Sequence, residues 1–149
     1  MLLVSDYLQR HESDVFCLQV RDNILATGSW DKTIELCDIR TRHNLQTLTG
    51  HTGGVYCLWF DDKYMISGCH QRDVIFWDMK TFELLRIVHP HQRGVRWLDS
   101  DGYKVATGSI DHSIQILDYN GTFPLTHCYL YIEQLTRRRS CHQHSEWTF

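Results

Sequence analysis

His11, His51 and His91 stand forty residues apart, and each precedes a hydroxyl residue by sixteen: Thr27, Ser67 and Thr107. Asp31 and Asp111 follow in two of these segments, with Gln71 at the same place in the other. Imidazole, hydroxyl and carboxylate are the groups of general-base and nucleophilic catalysis. Recurrence at a fixed period explains them more simply as a structural set built three times. Near the C-terminus His127, Cys128, Cys141, His142 and His144 carry metal-binding atoms, but their spacing lacks the second paired half of a zinc pattern. The chain also has no glycine-rich loop followed by lysine and no nucleophile elbow. The expectation is a protein that is not an enzyme and holds no cofactor and no metal.

The elements that position these residues repeat with them. A shift of forty residues superposes Val15, Val55 and Val95; Leu18, Leu58 and Leu98; Gly28, Gly68 and Gly108; and Asp38, Asp78 and Asp118. The period divides the chain into units at 11–50, 51–90 and an incomplete 91–120. Residues 1–10 read as the final strand of a preceding sheet, and residues 121–149 as a tail outside the register. Each unit reads as short apolar runs separated by turns. The runs are Val15 to Val20, Ile24 to Ser29, Thr33 to Asp38 and Leu45 to Thr49 in the first unit. They are Val55 to Phe60, Tyr64 to Cys69, Val74 to Asp78 and Leu84 to Val88 in the second, then Val95 to Asp99, Lys104 to Ser109 and Ser113 to Asp118. Leu125 to Leu130 could add an edge strand. Apolar residues occupy both alternation phases of the first run, so both faces of each small sheet need cover, which blades stacked in a ring provide.

Composition narrows the class. A hydrophobic content of 42 % excludes disorder, and 15 basic against 18 acidic residues give no footprint for nucleic acid or an anionic membrane. No apolar run has the length of a signal peptide or a membrane span, so a cytoplasmic or nuclear location is expected. The six cysteines show no paired spacing beyond the matched Cys17 and Cys57, and are expected as free thiols. Arg137 to Arg139 reads as a solvated basic run and Asn120-Gly121-Thr122 as a turn.

Gly50-His51 followed by Trp77-Asp78, in the register of two further copies, resembles the WD40 repeat across residues 2–120. The resemblance implies an all-β fold of about three four-stranded β-propeller blades, an incomplete propeller, with a non-repeat C-terminal tail. It also implies a hydrogen-bonded chain of His, Ser or Thr, Asp and Trp within each blade. By position these are His11, Thr27 and Asp31; His51, Ser67 and Trp77; and His91, Thr107 and Asp111. Cys37 and Leu117 stand where Trp belongs, and Gln71 where Asp belongs. Neither Cys37 nor Leu117 replaces an indole N–H, so a hydrogen bond of about 0.5–1.5 kcal/mol is lost in each of those blades.

The compact hairpin Val55 to Gly68 is also similar to the repeats of F-box/WD proteins, substrate receptors of ubiquitin ligases. In that family the residue after the Val and the one before the turn Asp face the upper rim, where arginines grip phosphorylated segments. Here those positions are Phe16, Tyr56 and Arg96, then Trp30, His70 and Ile110. The F-box itself is not in this sequence. The expected function is a protein interaction scaffold with a protein or peptide partner, phosphorylated in the specific form. The rival is a structural subunit or truncated isoform whose propeller other chains complete, and zinc-dependent hydrolysis by the tail is a lesser alternative. Three blades leave two open faces, and about six apolar side chains per face at roughly 1.5–3 kcal/mol each make a deficit on the order of 10 kcal/mol.

Overall fold

A computed structural model describes residues 10–119. The expected first strand within 1–10 lies outside them, apart from Arg10, as do the tail, its cysteines and histidines, and the run Leu125 to Leu130. Eleven strands follow one another: β1 (Val15–Arg21), β2 (Ile24–Ser29), β3 (Ile34–Asp38), β4 (Asn44–Leu48), β5 (Val55–Phe60), β6 (Tyr64–Cys69), β7 (Val74–Asp78), β8 (Leu84–Val88), β9 (Val95–Ser100), β10 (Lys104–Ser109) and β11 (Ile114–Asp118). They form three antiparallel meanders, β1-β2-β3-β4, β5-β6-β7-β8 and, among the described residues, β9-β10-β11. The innermost strand of the middle sheet, β5, packs against both β1 and β9.

Turn chemistry sets the strand ends. Thr33 and Ser113 read as strand residues, yet β3 and β11 begin one residue later. Their N–H groups and hydroxyls donate to the carboxylates of Asp31 and Asp111, which holds them in the turn. The preceding residues Lys32, Arg72 and His112 all take a φ of 71°. Asp38 and Asp78 close the next turn alike, each accepting from the N–H groups two and three residues on. Those bonds, first from Thr41 and Thr81, hold both carboxyls below their ordinary range.

β7 shows why such short strands suffice. Ile75 and Trp77 enter a core shared with Ala26, Ile34 and Leu36 of the first sheet. Val74 and Phe76 point the other way, into a core with Val95, Val105 and Leu117 of the third. Strand alternation thus places a hydrophobic seam on each face of the middle sheet. Gln19 stitches the first seam: its amide donates to Phe60 C=O and accepts from Phe60 N–H, at 3.0 and 2.9 Å. Cys17 and Cys57 fill matched places in the two seams as reduced thiols. Burial pushes the Cys17 thiol up to about 12 and raises that of Cys57 as well, which makes both poor nucleophiles.

Among the described residues, no strand covers one face of each outer sheet. Leu18 and Val20 on β1 are 65 % and 52 % exposed, and Trp97 and Ile114 on the third sheet are 69 % and 52 % exposed.

Candidate functional site

Two sets of side chains compete for a functional reading. The first is the histidine set. His11 lies 2.8 Å from Thr27 Oγ1 through Nε2 and 2.9 Å from Asp31 Oδ2 through Nδ1. His91 repeats this with Thr107 at 2.9 Å, Ser113 at 2.9 Å and Asp111 at 3.3 Å. His51 Nε2 lies 2.6 Å from Ser67 Oγ, which accepts from the Trp77 indole N–H at 2.8 Å. The imidazoles are screened from solvent and saturated on the Nε2 side, so the hydroxyls bridge strands within each blade. Cys37 and Leu117 are buried at the positions of Trp77, with no indole to offer.

The second unit does not lack an acid, as its Gln71 suggests. Asp73, two residues on, is buried and accepts from Thr52 N–H at 3.4 Å and Thr52 O–H at 2.5 Å. Asp31 accepts likewise from Glu12 N–H and Asp111 from Gln92 N–H. The carboxylate has moved to the place of Thr33 and Ser113 while keeping its contact to the incoming chain. Burial works to raise the Asp31 pKa, but bonds from Thr33, Glu12 and His11 outweigh it and lower the carboxyl to about 2. The Ser113 hydroxyl does most to hold Asp111 low. Burial lowers His51 to about 4 against the opposing pull of Asp73.

The second set lies on one rim. In each blade the strand register skips one residue: Val15 pairs Ser29 and Cys17 pairs Gly28, Val55 pairs Cys69 and Cys57 pairs Gly68, Val95 pairs Ser109 and Trp97 pairs Gly108. Phe16, Tyr56 and Arg96 are the skipped residues, and a β-bulge re-aims such a side chain off the ladder. Trp30, His70 and Ile110 follow β2, β6 and β10, and their N–H groups donate to the carbonyls of Asp14, Gly54 and Gly94. Gly54 and Gly94 also let each blade pack closely on the rim residue of the blade before it. A Cβ on Gly54 would stand 3.0 Å from Trp30 Cα, and one on Gly94 2.6 Å from His70 O.

Five of the six rim residues meet in one cluster. Phe16 packs edge-on against Trp30 and Tyr56, with centroids 5.9 and 5.1 Å apart. Trp30 also meets Tyr56 at 6.0 Å and His70 at 5.3 Å, while the Tyr56 hydroxyl lies 3.1 Å from His70 Nδ1. The Arg96 guanidinium sits 4.3 Å from the Tyr56 centroid. Phe16 and Trp30 remain 45 % and 43 % exposed, so the cluster presents apolar ring surface to solvent. Ile110 stands apart, on the far side of a cleft of about 560 Å3 lined by His70, Gln71, Arg72, Gln92, Arg93 and Gly94. Arg72 and Arg93 are exposed cations in that cleft. Neither stood out in the sequence, although Arg72 shares its turn column with Lys32 and His112.

A family profile described as "WD domain, G-beta repeat" matches residues 3–38, 42–78 and 82–118. The chain belongs to the WD40 family. Its blades are therefore those of a WD40 scaffold. Over 39 residues it is 56 % identical to the probable E3 ubiquitin ligase complex SCF subunit sconB of Talaromyces marneffei, a match spanning 26 % of this chain and 6 % of the relative. The probable E3 ubiquitin ligase complex SCF subunit scon-2 of Neurospora crassa is 54 % identical over 41 residues, 28 % of this chain and 6 % of the relative. Among solved structures, the computationally designed Ika4 protein is 31 % identical with a TM-score of 0.69, over 72 % of this chain and 68 % of that one. U3-55K, 19 % identical, superposes with a TM-score of 0.73 over 78 % of this WD40 chain and 39 % of its own, a likeness of fold. Among the described residues no helix is long and apolar enough to cross a membrane.

Proposed function

We propose that the rim cluster is a peptide-binding surface, and that the peptide carries a phosphate. The exposed aromatic group formed by Phe16, Trp30 and Tyr56 supports this reading most directly. Trp and Tyr combine large apolar area with a polar handle, the chemistry of interface anchors. Beside them Arg96, Arg72 and Arg93 supply guanidinium forks suited to phosphate, and His70 adds charge when protonated. Ile110 completes the opposite wall of the cleft. In its specific form the surface belongs to the substrate-recognition part of a ubiquitin ligase, acting in the cytoplasm or nucleus without catalysis of its own.

Peptide arrays synthesised with and without phosphate test this form. Phosphorylated members are expected to bind more tightly, and Arg96→Ala to weaken them by about 1.5–3 kcal/mol, the range for a hydrogen bond to a charged group. Equal binding with and without phosphate, unchanged by Arg96→Ala, would remove it.

A second reading rests on the two open faces at β1 and at the third sheet. We propose that further blades cover these faces, from another subunit or a longer chain. Sedimentation separates the readings: a discrete oligomer supports assembly between chains, and a stable compact monomer contradicts it.

A further inference from the structure

The middle blade departs from its neighbours at three columns at once. Ser29 and Ser109 become Cys69, Thr33 and Ser113 become Asp73, and the acids Asp31 and Asp111 become Gln71. In the outer blades the histidine Nδ1 is occupied: His11 meets Asp31 and Thr33, and His91 meets Ser113 and Asp111. His51 Nδ1 is buried without any hydrogen-bond partner, in a residue only 7 % exposed. Leaving a buried ring nitrogen unpaired costs free energy that the other two blades avoid.

With Nε2 held by Ser67 Oγ, Nδ1 is the His51 nitrogen left without a partner beside two other ligand-bearing side chains. His51, Cys69 and Asp73 are all buried, and one ligand atom from each lies within 4.8 Å of the others. We propose that the middle blade binds a zinc-class divalent metal ion through His51 Nδ1, Cys69 Sγ and the Asp73 carboxylate, with water as fourth ligand. Bonds of about 2.0–2.3 Å would draw the three atoms to roughly 3.3–3.8 Å apart, an inward shift of about 1 Å. The mixed nitrogen, sulfur and oxygen set favours zinc over magnesium or calcium.

Charge and orientation fit the same ion. The Cys69 thiol now donates to Asp73 Oδ2 at 3.5 Å. Metal takes the place of that proton, which leaves to solvent, and one thiolate plus one carboxylate neutralise a 2+ ion in a buried place. His51 Nε2 is engaged by Ser67 Oγ at 2.6 Å, which leaves Nδ1 as the free ring nitrogen; a metal bound there places the ring proton on Nε2, which then donates to Ser67 Oγ. Asp73 is held from outside by Thr52 and by His89, whose Nδ1 lies 3.2 Å from Oδ1. Linear spacing conceals the set, because His51 and Cys69 are eighteen residues apart and meet only through the β5–β6 pairing.

The test uses the full chain, stripped with chelator and titrated with cobalt, then with zinc. One cobalt ion is expected to bind with a thiolate charge-transfer band and a tetrahedral visible spectrum, and zinc to displace it and raise the unfolding temperature. Cys69→Ser installs the residue of the outer blades, so it keeps the fold, which thermal unfolding of the metal-free form checks. It should abolish the thiolate band and weaken binding by more than about tenfold, since outer-shell changes alone cost about 10–100-fold. Cys128→Ser/Cys141→Ser should leave the spectrum intact. Absence of a thiolate band in the parent chain, its survival in Cys69→Ser, or its loss in Cys128→Ser/Cys141→Ser would each overturn the site.

Discussion

Trp77→Ala is expected to cost about 3–5 kcal/mol of stability, the range for truncating a buried aromatic. The indole is 2 % exposed, packs in the seam with Ile34, Leu36 and Ile75, and lies 6.2 Å from the His51 ring. Its N–H also donates to Ser67 Oγ, the atom that holds His51. Against a total of about 5–15 kcal/mol for a domain, the loss threatens folding itself. Trp77→Phe keeps most of the apolar volume and loses the hydrogen bond, so about 1–2 kcal/mol is expected. Urea unfolding followed by far-ultraviolet circular dichroism checks both. A cost below about 1 kcal/mol for alanine would mean that the indole does not close the first seam.

Phe76→Ala should cost a similar ~3–5 kcal/mol but damage the opposite seam. Phe76 is 1 % exposed, with the Arg86 guanidinium 4.6 Å from its centroid and the Tyr119 ring 6.3 Å away. Arg86 in turn donates to Tyr119 C=O, so the ring underlies a tie between the second and third sheets. Native-state hydrogen exchange distinguishes the two variants. Trp77→Ala is expected to speed exchange in β1–β4, and Phe76→Ala in β9–β11, because each seam opens locally before the whole unfolds. Identical exchange patterns for both variants would show that the seams are not separate cores.

How far such positions could be read from the sequence depended on what recurs. Val74, Ile75, Phe76 and Trp77 form one unbroken apolar run, which signals a strand covered on both faces. The forty-residue period then located the strands to within a residue: a turn carboxylate captured Thr33 and Ser113, β4 lies one residue earlier than Leu45 to Thr49, and β1 and β9 run one residue further, to Arg21 and Ser100. Asp73 was hidden for a related reason. Alignment by column places the acid at Gln71, whereas space tolerates a shift of two residues along a turn, because the Thr52 N–H is reached from either place. Phe16, Tyr56 and Arg96 came from family resemblance rather than pattern, since a single skipped residue in the strand register leaves no periodic trace. Arg72 and Arg93 were missed because the cleft that unites them lies between adjacent blades, on turns separated by twenty-one residues.

Trp30 is the most direct probe of the rim as a contact surface. The indole touches Phe16, Tyr56 and His70 yet stays 43 % exposed, so Trp30→Ala should unfold at nearly the parent temperature. Phosphopeptide arrays probed with the parent chain and with Trp30→Ala give the measurement. Peptides held by the parent chain are expected to bind the variant at least about tenfold more weakly, the loss of an interface anchor worth more than about 1.4 kcal/mol. The same peptides bound with the same strength by both chains would contradict the rim as a contact surface.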